Sequence, residues 1–92
     1  MLEVVLSNRF KRDLKRAERR GYDTTLLEKT VNILAQKQLL PESSHDHPLT
    51  GNWSGYRECH IQSDWLLIYK VCEDELLLLL MRTGTHADLF TG

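Results

Sequence analysis

No segment of the chain runs to the roughly 18 uninterrupted apolar residues that a membrane-crossing helix needs. The N-terminal residues MLEVVLSNRFKRD mix acids and bases where a secretory leader would carry its apolar core, so a cytoplasmic protein without membrane association is expected. Cysteine is scarce as well. Cys59 and Cys72 are the only two and neither sits in a CxxC pair, which excludes a disulfide framework and a zinc ribbon. Both read as reduced small hydrophobes. HExxH spacing, internal repeats, low-complexity tracts and linker-like composition are all missing. These gaps point to a single domain spanning 1–92 and argue against a second module.

What remains is an ordinary globular composition, with 41% apolar and 27% charged residues in 92 positions. A chain of this size buries roughly 60–70% of its unfolded surface, enough for one modest core. Net charge is −1, but the charge is unevenly spread. RFKRDLKRAERR, from Arg9 to Arg20, holds seven cations (Arg9, Lys11, Arg12, Lys15, Arg16, Arg19, Arg20) against two acids, Asp13 and Glu18. Such a run has two readings: a solvated helix face, or a surface for nucleic-acid phosphates, with Arg12, Lys15, Arg16 and Arg19 as the contacts.

The element pattern gives a fold class. LEVVL at 2–6 reads as a strand. Ser7 or Asn8 can cap a helix whose core-facing positions are Phe10, Leu14 and Ala17, and Gly21 ends it. Thr25 and Glu28 have capping-box spacing, and Leu27, Val31 and Leu34 carry a second helix to about Gln38, which Pro41 then stops. Residues 42–55 read as a loop. Three strands follow at 56–61, 65–71 and 75–81, joined by turns (QSD, CED) too short for anything but antiparallel neighbours. The chain is therefore expected to be α+β, β-α-α-β-β-β, with an antiparallel sheet packed against two N-terminal helices.

Chemistry is concentrated in the second half. Four histidines, His45, His47, His60 and His86, are many for so short a chain, and imidazole is the side chain suited to moving protons near neutrality. In a strand at 56–61, Tyr56, Glu58 and His60 share one face while Arg57, Cys59 and Ile61 share the other. The loop bearing His47 enters this strand, Asp64 and Trp65 follow its turn, and Arg82 and His86 close the chain's last elements. These groups can meet at one edge of the sheet.

The combination DHPL, GxWxGYR, DWxLIYK and RTGTHxxLF, in this order across Asp46 to Phe90, resembles the YafQ branch of the RelE superfamily of bacterial toxins. The N-terminal half agrees in element order and in its basic first helix. The resemblance implies a type II toxin: an endoribonuclease that cleaves mRNA on the translating ribosome without metal or other cofactor. It also implies a cognate antitoxin of the DinJ type, with a DNA-binding N-terminal half, that neutralises the toxin in a hetero-oligomer. Carried over position by position, the catalytic set is His47, His60, Asp64, Arg82 and His86, and Trp65 and Phe90 fall on further site positions. His45 has no counterpart in the pattern and is expected to be merely exposed.

Metal-free RNA cleavage needs a base for the 2′-hydroxyl, charge stabilisation at the phosphorane and an acid for the departing 5′-oxygen. The expectation is that His86 is the acid, that Asp64 with His60 or His47 is the base, and that Arg82 holds the phosphate oxygens. Trp65 and Phe90 either stack on a splayed base or pad the core. A ParE-like gyrase inhibitor of the same fold is the alternative, and it needs no catalytic histidines. A zinc-type hydrolase lacks its usual spacing here.

Overall fold

A computed structural model describes residues 1–90. Ser7 starts helix α1 (Asn8–Arg19): its Oγ accepts from the Phe10 N–H at 3.0 Å and donates to the Met81 carbonyl at 2.7 Å, so the cap also ties the helix to the sheet. Gly21, at φ 79°, terminates it. The Gly21 N–H donates to the Glu18 carbonyl and the Tyr22 N–H to the Ala17 carbonyl, the paired bonds that satisfy a helix's last carbonyls. Phe10 and Ala17 are buried and Leu14 packs beside them, as the helical spacing requires. Asp13 is buried in the same stripe.

Helix α2 (Thr24–Ala35) departs from the capping-box expectation. Asp23 is its cap, accepting from both the Thr25 N–H and the Thr25 hydroxyl, because its carboxylate lies one residue ahead of the first turn. The helix also ends at Ala35, short of Gln38.

The sheet contains β1 (Glu3–Leu6), β2 (His47–Pro48), β3 (Arg57–Gln62), β4 (Trp65–Cys72) and β5 (Leu77–Gly84), in the order β1-β5-β4-β3-β2. The hairpins β3–β4 and β4–β5 are antiparallel, as their short turns dictate. β1, however, pairs parallel with β5, so the sheet is mixed. Two helices and three strands separate these partners along the chain, so no tight turn constrains their direction. The last strand begins and ends later than its sequence pattern suggests, because Glu73–Glu75 form a 3-10 turn that Leu76 closes at φ 55°. The segment 42–55 holds β2 and two further 3-10 turns, and His86–Phe90 form helix α3.

The two sheet faces have different fates. One packs against α1 and α2 through Cys59, Trp65, Leu67, Tyr69, Leu78 and Leu80. On the other, Leu66 and Ile68 lie under Leu89 of α3, with Leu49, Trp53, Tyr56 and Met81 around them. Burying such side chains contributes about 1.5–3 kcal/mol each before conformational entropy is set against it. No helix among the described residues is long and apolar enough to cross a membrane.

Candidate active site

The second face carries the titratable groups. Strand register aligns His47, Glu58, Ile68 and Arg82 across β2, β3, β4 and β5, and His60, Leu66 and Gly84 in the neighbouring row. Arg82 reaches this face because of a bulge: Tyr69 pairs with Leu80 and Ile68 with Arg82, leaving Met81 as an extra residue in β5. An inserted residue reverses the alternation of everything beyond it. Leu80 thus lies among the helices, whereas Arg82 borders a cavity with Trp53, Leu89 and Phe90.

The histidines form a connected set. Ring centroids of His45 and His60 lie 5.3 Å apart, those of His60 and His86 6.0 Å, and those of His86 and Phe90 6.0 Å. Glu58, with a side chain 5% exposed, places Oε1 3.6 Å from His47 Nε2 and 3.9 Å from His60 Nε2. His47 Nδ1 lies 2.6 Å from the His45 carbonyl. A carbonyl can only accept, so Nδ1 holds the proton and Nε2 is the nitrogen turned to Glu58.

Asp64 sits at the other side of the cluster. Its Oδ1 accepts from the His86 backbone N–H at 3.1 Å and lies 3.2 Å from His86 Nδ1. These contacts, the backbone one foremost, hold the Asp64 carboxyl below its ordinary range. They orient the ring so that Nε2 is free to face a substrate. Asp64 is therefore the partner of His86, while the carboxylate between His47 and His60 is Glu58.

Arg82 and Trp65 are less available than the sequence implies. Arg82 donates Nε and Nη2 to the buried carboxylate of Asp13 at 2.9 and 2.8 Å, which raises its pKa. A phosphate would meet only its remaining N–H groups. Trp65 is 1% exposed, packs against Tyr22 and donates Nε1 to Thr83 Oγ1 at 2.8 Å. It offers no face for stacking on a base; its place is the core. Phe90 is exposed and adjoins both His86 and the Arg82 cavity.

Along α1, Arg12, Lys15 and Arg19 are exposed. Arg16 is drawn inward to Asp13 at 3.2 Å and Asp88 at 3.7 Å. Together with Arg9 and Arg82, the arginines 12, 16 and 19 line a cationic cleft around Asp13. The sequence pattern does not single out Asp13, Glu58 or His45, which the structure places in the cationic cleft and among the histidines. Asp13 had a visible signal, an acid set between Phe10 and Leu14 on the core-facing stripe; so had Glu58, on the His60 face of its strand. The placement of His45 depends on its left-handed backbone (φ 47°), which sequence spacing does not show.

Among the described residues, no group of three or more His, Cys, Asp or Glu side chains is arranged to hold a metal ion. What the arrangement can do is acid–base chemistry, with two proton-handling units, His47–Glu58–His60 and Asp64–His86, about one ring contact apart.

A mixed five-stranded sheet with two helices on one face and this histidine cluster on the other is a RelE-like toxin fold. The chain belongs to the YafQ family: a family model described as a bacterial toxin of type II toxin-antitoxin systems, YafQ, matches residues 2–91. It is 42% identical over 89 residues to the mRNA interferase toxin YafQ of Escherichia coli strain K12, covering 96% of this chain and 95% of that protein. A metal-bound toxin from Helicobacter pylori superposes with a TM-score of 0.93 at 42% identity, over 98% of this chain and 100% of the other. The toxin in the E. coli DinJ-YafQ toxin-antitoxin complex gives 0.86 at 41% identity, covering 97% of each chain.

Proposed function

We propose that this toxin is an endoribonuclease that cleaves mRNA on the translating ribosome and that a DinJ-like antitoxin neutralises it. The observation that carries the reading is the convergence of His47, Glu58 and His60 with Asp64 and His86 on one sheet face. The related E. coli protein is named an mRNA interferase, which agrees with it.

In this reading His86, oriented by Asp64, protonates the departing 5′-oxygen through Nε2. His60 or His47, backed by Glu58, takes the proton of the attacking 2′-hydroxyl. Arg82 and the arginines of α1 supply positive potential for the phosphate. A positioned acid or base contributes roughly 10²- to 10⁴-fold, and in this reading each proton moves through one of these side chains.

The test is primer extension on an mRNA translated in a purified system with and without the toxin, repeated with the antitoxin added. Discrete cuts that need translating ribosomes and vanish with antitoxin are expected. Intact mRNA with altered plasmid supercoiling in cells would instead favour a gyrase inhibitor. A chelator arm on pre-formed ribosome complexes, with ribosome integrity monitored, should leave cleavage in place.

A further inference from the structure

We propose that the cavity beside His45 and His60 is the subsite for the base of the nucleotide immediately upstream of the cut, the one bearing the attacking 2′-hydroxyl. The inference rests on the endoribonuclease reading. It gives a function to the cavity and to His45, neither of which that reading uses.

The cavity, of about 500 Å³, lies between the 3-10 turn at Glu42–Ser44 and the β3–β4 turn. Ser43, Ser44, His45, His60, Ile61, Gln62 and Ser63 line it. Three hydroxyls and a carboxamide are neutral groups that both donate and accept, and no carboxylate, lysine or arginine is among the lining residues. That chemistry matches the hydrogen-bonding edge of a nucleobase and suits a phosphate poorly. The paired imidazoles, 5.3 Å apart, add an aromatic wall of the kind single-stranded RNA bases pack against. The cleft around Asp13 is the opposite case: it is lined by Arg9, Arg12, Arg16, Arg19 and Arg82, the composition a phosphate calls for. The molecule has thus separated a neutral hydrogen-bonding recess from a cationic one.

Geometry supplies the direction of the strand. The rings run in the order His45, His60, His86, Phe90, with the neutral cavity at the first end and the Arg82 cavity at the last. If His86 protonates the leaving 5′-oxygen, the downstream nucleotide that owns this oxygen lies toward Phe90. The upstream nucleotide, whose 2′-hydroxyl faces the His60 side, then reaches the neutral cavity. His45 lines this cavity, its ring packs against His60 and its carbonyl fixes the His47 tautomer, so base binding and proton transfer share one turn of chain.

The experiment is end-sequencing of cleavage products from mRNA randomised at the ribosomal cutting site, for the wild type, Gln62→Leu and Ser44→Ala. A good hydrogen-bonding contact to a base discriminates by roughly five- to 150-fold. The variants are expected to flatten the base distribution at the upstream nucleotide by a factor in that range, with the downstream distribution unchanged. An unchanged upstream preference in folded variants, or a change confined to the downstream nucleotide, would overturn the proposal. A second measurement avoids substitution: the four nucleoside 3′-monophosphates titrated into isotopically labelled wild type should shift the amides of Ser43, Ser44, Gln62 and Ser63. Shifts restricted to the Phe90 side would also overturn it. Those amide shifts without any RNA cleavage by the wild type would sink the endoribonuclease reading and, with it, the assignment of the recess to a nucleotide upstream of a cut, leaving only a nucleotide-binding recess.

Discussion

Glu58 is nearly inaccessible, yet it faces two imidazole nitrogens, so it is the carboxylate through which His47 and His60 can share a proton. Glu58→Gln keeps the shape and removes the charge. It is expected to lower kcat roughly 10²- to 10⁴-fold in single-turnover cleavage while the far-ultraviolet dichroism stays that of the wild type; a rate within threefold of the wild type would remove Glu58 from the chemistry. Trp65 is the converse, an aromatic at a site position that the fold spends on packing. Trp65→Phe loses the bond to Thr83 Oγ1 and should cost about 1–3 kcal/mol, read as a Tm lower by roughly 4–8 °C per kcal/mol. Cleavage per folded molecule should persist. A large rate loss at unchanged Tm would return Trp65 to the RNA-binding set.

Helix α3 has five residues, too few to be stable alone, and it carries both His86 and Phe90. Its position comes from Leu89 beneath it and from Asp88, which Arg20 grips through two bonds of 2.7 and 3.2 Å and which also accepts from the Thr85 N–H. Arg20 above all pulls the Asp88 carboxyl far below the usual carboxylate range. Gly84 permits the approach, since a Cβ there would lie 2.9 Å from Asp88 Oδ2. A carboxylate whose folded pKa is depressed stabilises above its unfolded pKa of about 3.9, and that contribution fades as pH falls through and below this value. At neutral pH the latch is fully charged. Arg20 is more than a third exposed, so solvent screening leaves about 1 kcal/mol. Asp88→Asn should therefore lower Tm at pH 7 and show a smaller difference from the wild type at about pH 2, the remainder being lost only as pH falls through the depressed folded pKa, measured by thermal melts at the two pH values. Equal differences at both pH values would show that the ion pair does not hold the helix.

The net charge of −1 conceals a polar molecule in the electrical sense, with seven cations between residues 9 and 20 and an acidic excess elsewhere. Arg16 is committed to Asp13 and Asp88, whereas Arg12, Lys15 and Arg19 stand exposed along α1. If this face meets ribosomal RNA, affinity should fall linearly with salt on a log–log plot, and Arg12→Gln or Lys15→Gln should each reduce the slope by about 1. Filter-binding to ribosomes from 50 to 300 mM salt checks this. A slope that neither substitution changes would leave the helix face solvated and idle.

The sequence by itself determined the α+β class, both helices, the two tight hairpins and the face that Glu58 shares with His60, because 3.6- and 2-residue periods and short turns are local constraints. It also marked His47, His60, Asp64 and His86 through motif order. Only the tertiary structure decided the parallel seat of β1, the pairing of Arg82 with Asp13, the burial of Trp65 and the entry of His45 into the ring series. Each of these depends on residues distant along the chain, or on a backbone irregularity such as the bulge at Met81 or the left-handed turn at His45, where one residue redirects every side chain after it. Local pattern sets what an element is; which side chains meet across elements follows from packing, and in this protein the proton-handling groups are assembled by packing.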